Sequence, residues 1–210
     1  MKLKVCGMRE RENILNLIDL KPDFIGFIFY NKSKRFVADF PQVKIPSTIK
    51  KVGVFVDENI ENLLRKVKDF KLDYVQLHGN ESVAYCETLQ QQNIKIIKAF
   101  SVGNDFNFNI LSPFEAVTDY FLFDTKGKER GGNGLVFDWR LLENYSFQKP
   151  YFLSGGIGLE ESEALLKFIK KDISKYCYAL DVNSRFEISP GVKNIEKLKE
   201  FKKNLYELFC

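Results

Sequence analysis

Leu3-Lys4-Val5-Cys6 is a short strand-forming run that stops on a reactive side chain, and Gly7 directly behind it permits a tight exit. Seven runs of the same kind follow: Phe24 to Phe29, Val52 to Val56, Tyr74 to Leu77, Ile96 to Phe100, Tyr120 to Phe123, Tyr151 to Leu153 and Ala179 to Val182. At or just past their carboxyl ends stand Cys6, Tyr30, Asp57, His78, Ser101, Asp124, Ser154 and Asn183. β-Branched and aromatic runs separated by helical patterns read as parallel βαβ units, and eight units are the number that closes an α/β TIM barrel, (β/α)8. The active site of that fold is built on the carboxyl ends of the strands, so the end residues are candidate site residues.

Outward from the strands, the helices follow the same logic. Asn59 to Val67 places Ile60, Leu63, Leu64 and Val67 on one face, the stripe an outer helix buries. Glu81 to Leu89, Leu159 to Phe168 and Lys193 to Leu208 repeat it, whereas Asn31 to Lys50 and Val102 to Asp119 carry prolines and leave room only for short or distorted helices. With 210 residues and 45% hydrophobic content, the chain suits one catalytic barrel domain over residues 1–210, since the fold needs at least ~200 residues. The longest apolar stretch, Phe24 to Tyr30, falls far short of the roughly 20 residues that span a bilayer, and the amino-terminal residues lack a signal-peptide core. Cys6, Cys86, Cys177 and Cys210 show neither metal-ligand spacing nor a disulfide framework, so a reducing cytoplasm is the expected compartment.

The net charge of +4 is spread among interspersed acids and bases, and the lysines of the last two helical stretches read as solvated faces. No nucleic-acid-binding signature accompanies them, and neither nucleic acid nor membrane is an expected partner. A mild positive bias suits a small anionic substrate.

Among the end residues, Cys6 can serve as a base or nucleophile in its thiolate form, against the alternative of a small buried apolar side chain. Asp124 follows Phe121-Leu122-Phe123, an apolar mouth in which a carboxyl can be held protonated as an acid; the alternative is a structural aspartate. The stretch Thr125 to Gly134 is a glycine-rich loop without a Walker or dinucleotide fingerprint. Ser154-Gly155-Gly156 after the seventh run and Asp181-Val182-Asn183-Ser184 at the eighth offer small residues and backbone donors where these barrels recurrently bind phosphate. His78 is the only histidine, which disfavours histidine-dependent triads and histidine-rich metal sites.

These motifs, in this order, resemble the phosphoribosylanthranilate isomerases of tryptophan biosynthesis from Lys4 to the region of Lys193. The likeness is carried by Lys4-Val5-Cys6-Gly7-Met8-Arg9, by Gly26 to Tyr30 with Lys32 to Phe36, and by Val75-Gln76-Leu77-His78-Gly79. Asp124-Thr125-Lys126-Gly127 with Gly131 to Gly134, Leu153-Ser154-Gly155-Gly156, and Asp181 to Ser184 complete it. The resemblance implies a cofactor-free and metal-free Amadori rearrangement of N-(5-phosphoribosyl)anthranilate to 1-(2-carboxyphenylamino)-1-deoxyribulose 5-phosphate. It further implies Asp124 as general acid, Cys6 as general base and Arg35 as the partner of the anthranilate carboxylate. Gln76, His78, Gly155, Gly156, Asp181, Asn183 and Ser184 would bind the phosphorylated substrate. One departure is local: where Ser-Ser-Gly is frequent after the eighth strand, this chain has Asn183-Ser184-Arg185.

Neighbouring barrel activities are the other enzymatic readings. An indole-glycerol-phosphate synthase expects catalytic lysine and glutamate at the strand ends, and a ribulose-phosphate epimerase expects metal-binding histidines. A catalytically silent barrel that binds a sugar phosphate as sensor or scaffold is the reading from another class. The sequence leaves the oligomeric state open.

Overall fold

Eight parallel strands close on themselves in chain order in the computed structural model, which describes residues 1–125 and 138–209. They are β1 (Lys2–Val5), β2 (Phe24–Ile28), β3 (Lys50–Phe55), β4 (Tyr74–Leu77), β5 (Ile96–Val102), β6 (Tyr120–Thr125), β7 (Tyr151–Leu153) and β8 (Cys177–Val182), with β8 returning to β1 at the register Lys4 opposite Asp181. All eight runs read from the sequence are strands, because alternating apolar side chains can be buried on both faces only when the sheet encloses one core and is wrapped by another. The two cores are visible as separate clusters. Phe24, Val52, Ile97, Ala99, Leu122, Phe152 and Ala179 fill the barrel interior, with Tyr74, Tyr120 and Tyr178 packed beneath them. Val5, Phe27, Phe55, Leu77, Phe121 and Leu180 face outward to Ile14, Leu63, Leu89 and Leu198 of the helices.

Three aspartates pin the register at the amino ends of alternate strands. Asp23 accepts from Leu3 N, Asp73 from Lys51 N and Asp119 from Ile96 N, each at 2.7–2.9 Å. Each also donates its own N–H to the carbonyl of that same residue, so every clamp satisfies donor and acceptor where the ladder would otherwise fray.

The outer helices are α1 (Arg11–Asp19), α2 (Ile60–Phe70), α3 (Val83–Gln91), α4 (Ser162–Ile169) and α5 (Ile195–Phe209). Asn59 caps α2 by accepting from Glu61 N and Asn62 N, and Ser82 caps α3 through Tyr85 N. Several expectations shift. α1 was not singled out by periodicity. Residues 31–50 contain no helix, whereas 102–119 holds the distorted 3-10 helix Phe108–Phe114 around Pro113. The helix expected from Leu159 starts at Ser162. Lys193, expected to open the last helix, instead belongs to β10 (Val192–Lys193), which pairs antiparallel with β9 (Glu187–Ser189) beside the barrel mouth. The glycine-rich stretch after Thr125, including Lys126 and Gly131 to Gly134, and Cys210 lie outside the described residues.

Candidate active site at the carboxyl ends of the strands

Above the apolar floor the barrel interior turns polar. Lys4, Gln76 and Asp181 project inward from β1, β4 and β8 and are all almost wholly buried. The Lys4 ammonium donates to Asp181 Oδ2 at 2.7 Å and to Gln76 Oε1 at 2.6 Å, and its charge acts on the Cys6 thiol. Burial pulls the Lys4 ammonium down, but Asp181 and Cys6 beside it more than offset that, so its pKa lies above the ordinary lysine value and the group stays charged.

Over this layer opens the cavity lined by Cys6, Arg35, Gln76, His78, Asp124, Gly155, Gly156, Asp181, Asn183 and Ser184, with Tyr30 and Ser154 beside them, whereas the strand-end residues Asp57 and Ser101 do not line it. Cys6 is held by its N–H to Val182 O at 2.9 Å, and its side chain has room only because residue 26 is glycine. A Cβ on Gly26 would stand 2.7 Å from Cys6 Sγ. Burial pushes the thiol above its ordinary pKa, Lys4 opposes, Asp181 adds to the rise and Lys193 opposes again. Asp124 is buried at the end of β6, accepts from Thr125 N at 3.0 Å and stands 3.4 Å from His78 Nε2. His78 Nδ1 is 2.9 Å from Gln76 Nε2.

Arg35 reaches the same cavity from the β2–β3 connection. Its Nε and Nη2 donate to the two carboxylate oxygens of Glu187 at 2.8 and 2.6 Å. Lys193, wholly buried, donates to Glu187 Oε1 at 2.6 Å and to Asn183 Oδ1 at 2.7 Å. Burial would raise the Glu187 carboxyl, but Arg35 and Lys193 hold it below the usual carboxylate value, while burial lowers Lys193. This cluster joins the β9–β10 hairpin to the strand-eight end.

At the end of the neighbouring strand β7, Gly155 and Gly156 adopt left-handed backbone at φ 90° and 68°. At Gly155 a Cβ would fall 2.1 Å from Thr125 Oγ1, so the turn passes close against the end of β6. The amino end of α4 is set back by a turn and carries Glu161 and Glu163, and Arg185 lies 3.4 Å from Glu160 and 3.7 Å from Glu161. Arg185 lines the cavity while its guanidinium is drawn to these acids. Cys86 is buried in α3 and Cys177 at the start of β8, both away from this mouth.

Lys4, Glu187 and Lys193 were absent from the sequence-derived set. Lys4 was within reach of strand logic, because it lies two residues before Cys6 on the same face. Glu187 and Lys193 depend on a hairpin of three and two residues, too short for any period to announce.

A sequence profile described as "N-(5'phosphoribosyl)anthranilate (PRA) isomerase" matches residues 3–204. The N-(5'-phosphoribosyl)anthranilate isomerase of Parabacteroides distasonis is 45% identical over 206 residues, covering 96% of this chain and 91% of the relative. That of Phocaeicola vulgatus is 38% identical, covering 92% of each. The crystal structure of phosphoribosyl anthranilate isomerase from Thermotoga maritima superposes with a TM-score of 0.84 at 33% identity, covering 99% of both chains. A phosphoribosyl anthranilate isomerase in complex with reduced 1-(o-carboxyphenylamino)-1-deoxyribulose 5-phosphate does so with 0.81 at 30% identity, again covering 99% of both. With a barrel of this topology, a cavity that gathers these residues and a match across nearly its whole length, the chain belongs to the N-(5'-phosphoribosyl)anthranilate isomerase family.

Proposed function

We propose that this chain isomerises N-(5-phosphoribosyl)anthranilate to 1-(2-carboxyphenylamino)-1-deoxyribulose 5-phosphate by general acid–base catalysis, as one barrel domain over residues 1–210. The observation that carries the reading is the presence of a thiol and a carboxyl, Cys6 and Asp124, in one cavity of a family member. The Asp124 carboxyl gives its proton to the ribose ring oxygen as the C1–O bond breaks, and the anthranilate nitrogen lone pair forms the Schiff base. The Cys6 thiolate then takes the proton from C2, and the enolamine so formed ketonises to product. General acids and bases of this kind contribute about 10²–10⁴-fold each.

Recognition divides between Arg35 and the ends of β7 and β8. Arg35 suits the anthranilate carboxylate, because its guanidinium lines the cavity and its planar fork matches carboxylate geometry. The substrate phosphate suits the rim between the Gly155-Gly156 turn and Asn183-Ser184, where left-handed glycines and small residues expose backbone N–H groups. The phosphate is not assigned to the dipole of α4, whose first turn is acidic.

A silent sugar-phosphate-binding barrel would have no need of a buried thiol facing a charged lysine, and the pair supports chemistry over mere binding. No helix among the described residues is long and apolar enough to cross a membrane. The test is turnover of freshly prepared phosphoribosylanthranilate by the purified protein, followed by the loss of its fluorescence. Saturable loss supports the reading, and binding without loss supports the silent barrel.

A further inference from the structure

The polar layer beneath the cavity has a direction. Lysine is donor-only, so the Gln76 atom that Lys4 meets at 2.6 Å has to be the acceptor, Oε1. That turns the Gln76 NH2 toward His78, and an amide nitrogen only donates, so His78 Nδ1, 2.9 Å away, has to be bare. A neutral ring then carries its proton on Nε2. Nε2 is buried without a hydrogen-bond partner and stands 3.4 Å from Asp124 Oδ2, a gap that a small rotation of either side chain closes. The order of atoms is thus compelled from one end, by a lysine that is itself fixed by Asp181 at 2.7 Å.

We propose that Lys4 and Gln76 are positioning residues that hold His78 in the Nε2–H tautomer, aimed at the carboxylate that Asp124 becomes once it has given its proton to the substrate. The role in turnover rests on the isomerase reading; the tautomer does not. As the ring oxygen takes the proton and the C1–O bond opens, negative charge appears on the buried Asp124. The His78 N–H is then a donor already aimed at the place where charge develops, one small side-chain rotation short of a hydrogen bond. The bare-Nε2 tautomer would present a lone pair to that charge. The charge of the same Lys4 ammonium acts on Cys6, so one cation sits behind both the base and the group that supports the acid.

The chain has a single histidine, which makes the test direct. Imidazole ¹⁵N spectra of the whole wild-type enzyme at neutral pH, without substrate, should show one ring protonated at Nε2 and bare at Nδ1. A ring protonated at Nδ1, or at both nitrogens, overturns the proposal. Gln76→Leu removes both amide ends at similar volume and should lower kcat about tenfold while KM stays within about twofold. Unchanged kcat, or a rise in KM alone, overturns the positioning role. The spectrum remains decisive should that variant fold poorly. An Nε2–H ring in a protein that does not turn over phosphoribosylanthranilate would sink the isomerase reading and leave the tautomer standing, and an Nδ1–H ring in an active enzyme would do the reverse.

Discussion

Arg35 and Glu187 face each other fork to fork, Nε to Oε1 at 2.8 Å and Nη2 to Oε2 at 2.6 Å, across 152 residues of chain. The pair fixes the plane of the guanidinium at the edge of the cavity. A bidentate arrangement of this kind restricts a side chain that would otherwise lose considerable rotamer entropy on meeting a ligand. The arginine of the proposed carboxylate site is therefore oriented before substrate arrives, by a residue on a hairpin that the sequence did not announce.

Arg35→Ala should raise KM far more than it lowers kcat, with kcat/KM reduced by roughly 10- to 100-fold, as expected for loss of a charge-assisted hydrogen bond of about 1.5–3 kcal/mol. Arg35→Lys should recover only part, since a point charge cannot serve Glu187 and a second carboxylate in one plane. Steady-state kinetics check this, and unchanged kcat/KM in the alanine variant contradicts it.

Gly26→Ala tests the seat of the thiol. Its new methyl would stand 2.7 Å from Cys6 Sγ and 3.1 Å from Cys6 Cα, and the second contact is with backbone that cannot swing aside. Overpacking of this kind costs about 1–3 kcal/mol. Denaturant unfolding should show that loss, and kcat should fall with it because the sulfur is displaced; an enzyme of wild-type stability and rate would contradict the packing.

The phosphate rim is tested by Gly156→Asp, which puts an L side chain at φ 68° and a like charge where the anion is proposed to bind. KM should rise at least about tenfold, since loss of roughly 1.4 kcal/mol of binding is a factor of ten. Inorganic phosphate should inhibit the wild-type enzyme competitively and the variant more weakly. A wild-type KM in the variant would contradict the placement.

The pH dependence follows from the sign of the Cys6 shift. Burial, aided by Asp181, leaves the thiol above its ordinary value despite Lys4 and Lys193. The base works deprotonated and the acid protonated, so the titration of the base alone shows in Asp124→Asn, whose residual kcat/KM should climb by up to about tenfold per pH unit from neutrality and reach no plateau below about pH 8.5, the unperturbed thiol value. A profile already flat at pH 7 would mean that the base titrates lower than its surroundings allow.

How much of this was legible before the structure depends on which physical signal each part carries. Strand positions and their end residues could be read because alternation and β-branching are local, and Cys6, His78, Asp124 and Asn183 follow directly from where the runs stop. Lys4 shares a strand face with Cys6, but its partner Asp181 is 177 residues away, and only barrel closure brings them together. The helix expected from Leu159 begins later because a turn at Gly158 to Glu161 intervenes, and Lys193 left the helix pattern for a two-residue strand whose pairing is tertiary. The family motifs reached Arg35 but not Glu187, which orients it.

The central claim is that Cys6 and Asp124 supply the base and the acid, and the most direct measurement is kcat for Cys6→Ala and Asp124→Asn beside the wild type, with product-analogue affinity measured in parallel. Each variant should lose about 10²–10⁴-fold in kcat while binding the analogue within a few-fold of the wild type. Near-normal turnover by Cys6→Ala, or by Asp124→Asn, would contradict the account.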